Sequence, residues 1–191
     1  MNADRLYPPI LFIHGFGSSG FSGKATVMKR HFKRFFSPTL HPVPALALDT
    51  MQHFIHALEE QPLLVGSSLG GYYALYLSSR YGFPAVLINP AITPETTLAS
   101  MEGMNSNYYD GAKFQWTRAH IDSLRDYHWG RIDQSRLLLL VQMGDELLDH
   151  SQTLTAFPLA EKIIEPGGSH EFEGFERMVE PIRVFGSRWV E

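Results

Sequence analysis

The sequence of 191 residues contains no cysteine. That excludes disulfides, thiolate nucleophiles and cysteine-ligated metal centres. Basic residues are in no excess: 16 lysines and arginines stand against 20 aspartates and glutamates, for a formal net charge of -4. A nucleic-acid partner is therefore not expected. No apolar run approaches the roughly 20 residues that a membrane helix needs, so no membrane association is expected either. Residues 1–9 lack the basic-then-apolar order of a signal peptide, which points to a cytoplasmic protein. Neither an internal repeat nor a low-complexity stretch is present. Hydrophobic residues make up 44% of the chain and charged residues 19%. That is ordinary globular composition, and the length suits one domain over residues 1–191.

Short apolar runs alternate with amphipathic segments, a pattern of parallel strands joined by crossover helices. Runs at 10–13, 63–65, 85–88, 137–141 and 161–164 read as strands, continuously apolar where both faces are covered. Residues 43–48, weakened by Pro42 before them and Pro44 within them, read as an outer strand. Helices are expected at about 24–36, from Asp49 or Thr50 to Leu58, at 69–81, at 151–157 and from about Glu173, where Pro181 should start, kink or split the last one. Gly82 and Pro84 end the helix at 69–81. Residues 91–136 carry no strand-like run and are too long for a bare connection. They read as a helical, cap-like insertion between the fourth and fifth strands, with Thr93-Pro94 opening one helix and 118–126 forming another. The fold class is thus α/β: a mostly parallel sheet of about six strands with helices on both faces.

Gly66-Ser67-Ser68-Leu69-Gly70 matches G-x-S-x-G between an apolar run and a helix. A serine there sits on a sharp strand-to-helix turn with its hydroxyl exposed, and the flanking glycines remove side chains that would collide. A serine hydroxyl needs a base. Of the nine histidines, His170 follows the last strand in Pro166-Gly167-Gly168-Ser169-His170. The histidine needs an acid to fix its tautomer. Asp145 follows the 137–141 strand, with Glu146 and Asp149 as rivals. The order Ser68, Asp145, His170 is the order that this strand-turn-helix arrangement uses. An oxyanion would rest on two backbone amides, Leu69 after the nucleophile and Phe16 in the loop after the first strand. His14 reads as a loop-packing residue. No cofactor and no metal is called for.

Other signals are weaker. Gly15-x-Gly17-x-x-Gly20 matches the dinucleotide fingerprint, but no acidic residue ends the next strand within 40–48. Lys24, Lys29, Arg30, Lys33 and Arg34 read as the solvated face of a helix; a site for an anionic substrate such as a phosphopantetheine carrier is the sharper alternative. His53 and His56 lack a third ligand nearby. Tyr108, Tyr109, Phe114, Trp116, Tyr127 and Trp129 either roof an acyl pocket or pack the insertion onto the body.

Ile-His-Gly-Phe-Gly-Ser-Ser at 13–19, Gly-Ser-Ser-Leu-Gly-Gly-Tyr-Tyr-Ala at 66–74, Asn-Pro-Ala at 89–91, Gly-Asp-Glu-Leu-Leu-Asp at 144–149 and Gly-Gly-Ser-His at 167–170 carry a resemblance. The chain resembles the small bacterial esterases of the YqiA/YcfP type, UPF0227-like members of the α/β-hydrolase superfamily. The resemblance runs over nearly the whole chain in order. It implies a compact hydrolase fold and a Ser68, Asp145, His170 triad. It also implies cleavage of small acyl esters, thioesters or lactones with short acyl chains. The motifs do not fix the substrate or the oligomeric state. A C–C hydrolase or lyase with the same triad, or a non-catalytic binding protein on this fold, are the alternatives; fold alone does not decide.

Overall fold

The structure, a computed structural model, describes residues 7–190. Residues 1–6, most of the stretch read for a leader, and Glu191 lie outside the described residues. The strands are β1 (Ile10–Ile13), β2 (Phe35–Phe36), β3 (Leu63–Ser67), β4 (Ala85–Ile88), β5 (Gly103–Ser106), β6 (Lys113–Trp116), β7 (Leu137–Gln142) and β8 (Glu161–Glu165). The helices are α1 (Gly23–His31), α2 (Pro44–Ala57), α3 (Leu69–Tyr81), α4 (Pro94–Thr97), α5 (Arg118–Ser123), α6 (His150–Ala156) and α7 (Val179–Ser187). Six strands form one sheet in the order β2-β1-β3-β4-β7-β8, and every neighbouring pair is parallel.

Alternate side chains of a strand point to opposite faces, and here both faces are covered. Leu11, Ile13, Leu64, Leu87, Leu139 and Val141 meet α2 and α3 through Ala47, Met51, Tyr72 and Leu75. Ile10, Phe12, Val65, Val86, Leu138 and Leu140 meet α1 and α7 through Met28, Ile182 and Phe185. Each such fully buried aliphatic or aromatic side chain contributes roughly 1.5–3 kcal/mol. Among the described residues no helix is long and apolar enough to cross a membrane.

Three expectations need correction. Residues 43–48 are not an outer strand but the start of α2. Pro44 takes the first helical position, which its fixed φ suits, and Pro44, Ala47, Leu48, Met51 and Ile55 form the buried helical stripe. Asp49 and Thr50 therefore lie inside α2 and cap nothing. The outer strand is Phe35–Phe36, paired with Ile10 and Leu11, where the helix expected to reach residue 36 has already ended at His31. The insertion at 91–136 is helical at α4 and α5 but also holds an antiparallel hairpin, β5 with β6. Pro181 sits in the first turn of α7, where its missing N–H leaves no bond unmade.

The topology places the site. From β1 the chain winds outward through α1 to β2, then crosses the opposite face through α2 to β3, on the other side of β1. The winding reverses between β1 and β3, and in such sheets the crevice at the carboxyl ends of those strands receives the ligand. Ile13 pairs with Gly66 there, so loop 14–18 and the turn at Ser68 emerge side by side.

Candidate active site

Ser68 joins β3 to α3 with φ 55° and ψ -122°, a backbone conformation that costs a non-glycine residue roughly 1–3 kcal/mol. Its surroundings enforce it. The Ser68 amide donates to the Ile88 carbonyl at 3.0 Å, and its carbonyl accepts from Gly71 at 2.9 Å and Ala91 at 3.0 Å. The elbow also closes too tightly for side chains at its glycines. A Cβ on Gly66 would meet the Gly70 carbonyl, and one on Gly70 the Ile13 carbonyl.

The structure brings the three predicted side chains together. His170 Nε2 lies 3.0 Å from Ser68 Oγ, and His170 Nδ1 lies 2.8 Å from Asp145 Oδ2. The Asp145 side chain is 2% exposed. Its other oxygen, Oδ1, accepts from the amides of Leu147 and Leu148, each at 2.9 Å. Burial pushes the Asp145 carboxyl up, but the His170 hydrogen bond and the amides of Leu148 and Leu147 outweigh it and hold the group below the usual carboxylate range. The rivals do other work. Glu146 accepts the backbone amide of His170 at 3.0 Å, and Asp149 caps α6 through Ser151.

Both predicted amide donors border the serine. Leu69 is the first residue of α3, so its N–H has no helical acceptor. A Cβ on Gly15 would lie 3.2 Å from Ser68 Cβ, and Phe16 lines the same cleft as Ser68 and Leu69. His14 is loop packing, as expected: its Nε2 accepts from Leu40 at 2.8 Å and its Nδ1 donates to the Gly15 carbonyl at 2.9 Å. Burial lowers its pKa despite that donation, so the ring is neutral.

Loop 14–18 divides two clefts. The one of about 710 Å³ contains Ser68 and His170, and its walls include Leu98, Met101, Leu147 and Leu148. The other, about 610 Å³, contains neither and lies against Leu40, Val43 and Lys113. The aromatic residues of the insertion fall into two groups. Tyr108 and Tyr109 rim the cleft that holds Ser68, whereas Trp116 is fully buried and Phe114, Tyr127 and Trp129 pack on the body. Two cations of the basic stretch are engaged in ion pairs, Lys24 with Glu171 and Arg34 with Glu60. Among the described residues no group of three or more His, Asp and Glu is placed to hold a metal ion.

With this geometry in place, comparison with known proteins gives the lineage. The family model of UPF0227, described as an uncharacterised protein family, matches residues 9–187. The chain belongs to the UPF0227 family. Over 190 residues it is 26% identical to a UPF0227 protein of Vibrio parahaemolyticus, covering 92% of this chain and 98% of that one. A UPF0227 protein of Yersinia pseudotuberculosis is 25% identical over 185 residues, with coverage of 92% and 97%. Among solved structures, Est1E from Butyrivibrio proteoclasticus with ferulic acid bound superposes with a TM-score of 0.71 at 12% identity, over 99% of this chain and 92% of that one. Alpha/beta hydrolase domain-containing protein 10 from mouse gives 0.70 at 17% identity, over 92% and 86%. The fold of this UPF0227 chain is therefore that of the α/β hydrolases, as the resemblance implied.

Two supporting residues escaped the sequence reading. Asn89, buried and with φ 39°, donates from Nδ2 to the carbonyls of Ser169 at 3.0 Å and His170 at 3.2 Å, while its Oδ1 accepts the Gln142 amide at 2.9 Å. Gln142, 1% exposed, holds the same loop from β7. Its Oε1 accepts from Ser169 at 3.0 Å and Glu173 at 2.8 Å, and its Nε2 donates to Glu165 at 2.6 Å and the Glu173 carbonyl at 2.9 Å. An Asn-Pro pair ending one strand and a polar residue ending the next apolar run were the available signals.

Proposed function

We propose that this chain is a cytoplasmic serine hydrolase that cleaves carboxylic esters or thioesters of short acyl groups. The observation that carries the reading is the chain of contacts from Ser68 Oγ through His170 to the buried Asp145 carboxylate. Asp145 keeps the His170 proton on Nδ1, leaving Nε2 to accept. Ser68 Oγ then attacks the acyl carbonyl carbon as its proton passes to His170 Nε2. The resulting oxyanion rests on the amides of Phe16 and Leu69, at the positive end of α3. Collapse breaks the bond to the alcohol or thiol, which leaves with the proton from His170. Water attacks the acyl-serine, giving its proton to His170, and Ser68 regains that proton as the carboxylic acid departs. Protein groups carry every proton and charge in this scheme, which calls on no cofactor. The apolar walls at Leu98, Met101, Leu147 and Leu148 suit an acyl chain.

The test is turnover of p-nitrophenyl esters and acyl thioesters of graded chain length. Wild type is expected to hydrolyse the shorter members, and Ser68→Ala and His170→Ala to lose at least ~10³-fold in kcat. Equal turnover by wild type and Ser68→Ala would overturn the proposal.

A further inference from the structure

The β5–β6 hairpin does more than cover the cleft. We infer that it is a positioning element of the hydrolytic site, and that Asn107 at its tip is a positioning residue for the Phe16 oxyanion donor. The inference rests on the acyl-transfer reading above.

The Phe16 N–H belongs to the Gly15–Phe16 peptide plane, so its aim is set by whatever fixes the Gly15 carbonyl. Two donors hold that carbonyl: His14 Nδ1 at 2.9 Å and the Ser18 amide at 3.3 Å. His14 is itself anchored to Leu40. Ser18 is anchored by the hairpin, because Asn107 Nδ2 donates to the Ser18 carbonyl at 2.8 Å. The neighbouring residues are gripped in the same way. The Tyr108 amide donates to the Gly17 carbonyl at 2.7 Å. The Phe16 ring stands edge-on to Phe114 at 5.5 Å and Trp116 at 5.0 Å. Phe21 stacks on Tyr109 at 5.7 Å. Gly17 has φ +64°, a conformation that favours glycine, and a Cβ there would sit 2.9 Å from the Tyr108 ring, which would have to shift.

The tip is preformed for this task. Asn107 Oδ1 accepts from Tyr109 at 2.8 Å and Asp110 at 3.4 Å, and its backbone amide donates to Ala112 at 2.8 Å. Its aromatic residues add little to the core: Tyr108 is 74% exposed and Tyr109 61%. Its polar contacts converge instead on the carbonyls of residues 17 and 18. A donor stabilises a developing oxyanion most when it needs no reorganisation at the moment of reaction, and this tether supplies that rigidity from outside the sheet.

Asn107→Asp tests the tether and spares the turn, since Oδ1 can still accept from Tyr109 and Asp110. The Nδ2 donor becomes a carboxylate oxygen facing the Ser18 carbonyl. Hydrolysis of p-nitrophenyl acetate is measured per active site, titrated by fluorophosphonate endpoint labelling of Ser68. A fall in kcat of ~10-fold or more is expected, part of the 10²–10³ that loss of a whole oxyanion donor brings, with KM within about 2-fold and the thermal midpoint lowered by only about a few degrees. Phe114→Leu, which removes one ring contact to Phe16, should lower kcat in the same way by a smaller factor, and it serves if Asn107→Asp does not fold. Wild-type kcat in either folded variant overturns the inference and leaves the Ser68 chemistry standing. So does a loss that appears in KM, or one that tracks the folded fraction. Failure of the wild-type protein to label overturns the acyl-transfer reading, and this inference with it.

Discussion

Asp145→Asn isolates the part of the triad that does no bond-making. In the wild-type protein Oδ1 accepts from the amides of Leu147 and Leu148 at 2.9 Å each, and Oδ2 accepts from His170 Nδ1 at 2.8 Å. In the variant the two amides demand an acceptor, so the asparagine oxygen takes the Oδ1 place. The NH₂ group is left facing His170 Nδ1. Two donors cannot share that contact, and the imidazole must move its proton to Nε2. Nε2, 3.0 Å from Ser68 Oγ, then donates to the hydroxyl instead of accepting from it. The same substitution in a chymotrypsin-type triad lowers kcat by roughly 10⁴, about 5 kcal/mol of barrier, and a loss of that order is expected here. Steady-state hydrolysis of p-nitrophenyl acetate measures it. The loop should remain folded, because both amides keep their partner. Glu146→Gln is the control: its amide oxygen can still accept the His170 N–H, so kcat should stay within about threefold of wild type, given that such an exposed contact contributes little. An Asp145→Asn variant within tenfold of wild type would refute the assignment of Asp145 as the orienting acid.

Gln142→Leu should lower both stability and kcat. It strands the Ser169 and Glu173 amides, at roughly 1–3 kcal/mol each, which chemical denaturation can read. The Asp145 carboxyl is depressed in the fold, so its stabilisation is present above the unfolded carboxylate pKa and is lost as pH falls through the folded one. The difference in unfolding free energy between wild type and Asp145→Asn should therefore be flat above about pH 5 and shrink below about pH 4. A difference that stays constant into strong acid would rule out that linkage.

The meeting of the three candidate side chains was easier to read in the sequence than the scaffold around them. Ser68, Asp145 and His170 each follow an apolar run, and a strand end is a fixed place in a parallel sheet, so side chains at residues 68, 145 and 170 meet although they are far apart along the chain. The misread elements are those whose signal is short or ambiguous. Residues 43–48 alternate apolar and small residues like a strand, yet Pro44 and the later stripe to Ile55 obey the helical period. β2 is a pair of phenylalanines, too short to carry any period, and it exists because β1 offers an edge. In β6, Phe114 and Trp116 point inward while Lys113 and Gln115 point out, and Asp110-Gly111 marks the turn before it. Those cues are weak alone, and contact with loop 14–18 together with burial of Trp116 in the core gives the hairpin its place. Asn89 and Gln142 act through partners 23 to 81 residues away, which no local pattern reveals.

The most direct measurement is intact-mass labelling with a fluorophosphonate, comparing wild type with Ser68→Ala and His170→Ala. A single adduct on wild type, mapped to Ser68, and none on either variant is the expected result, because only a serine activated by His170 reacts in this way. An unlabelled wild-type protein, or an adduct that survives Ser68→Ala, would contradict the central claim that Ser68 is an activated nucleophile.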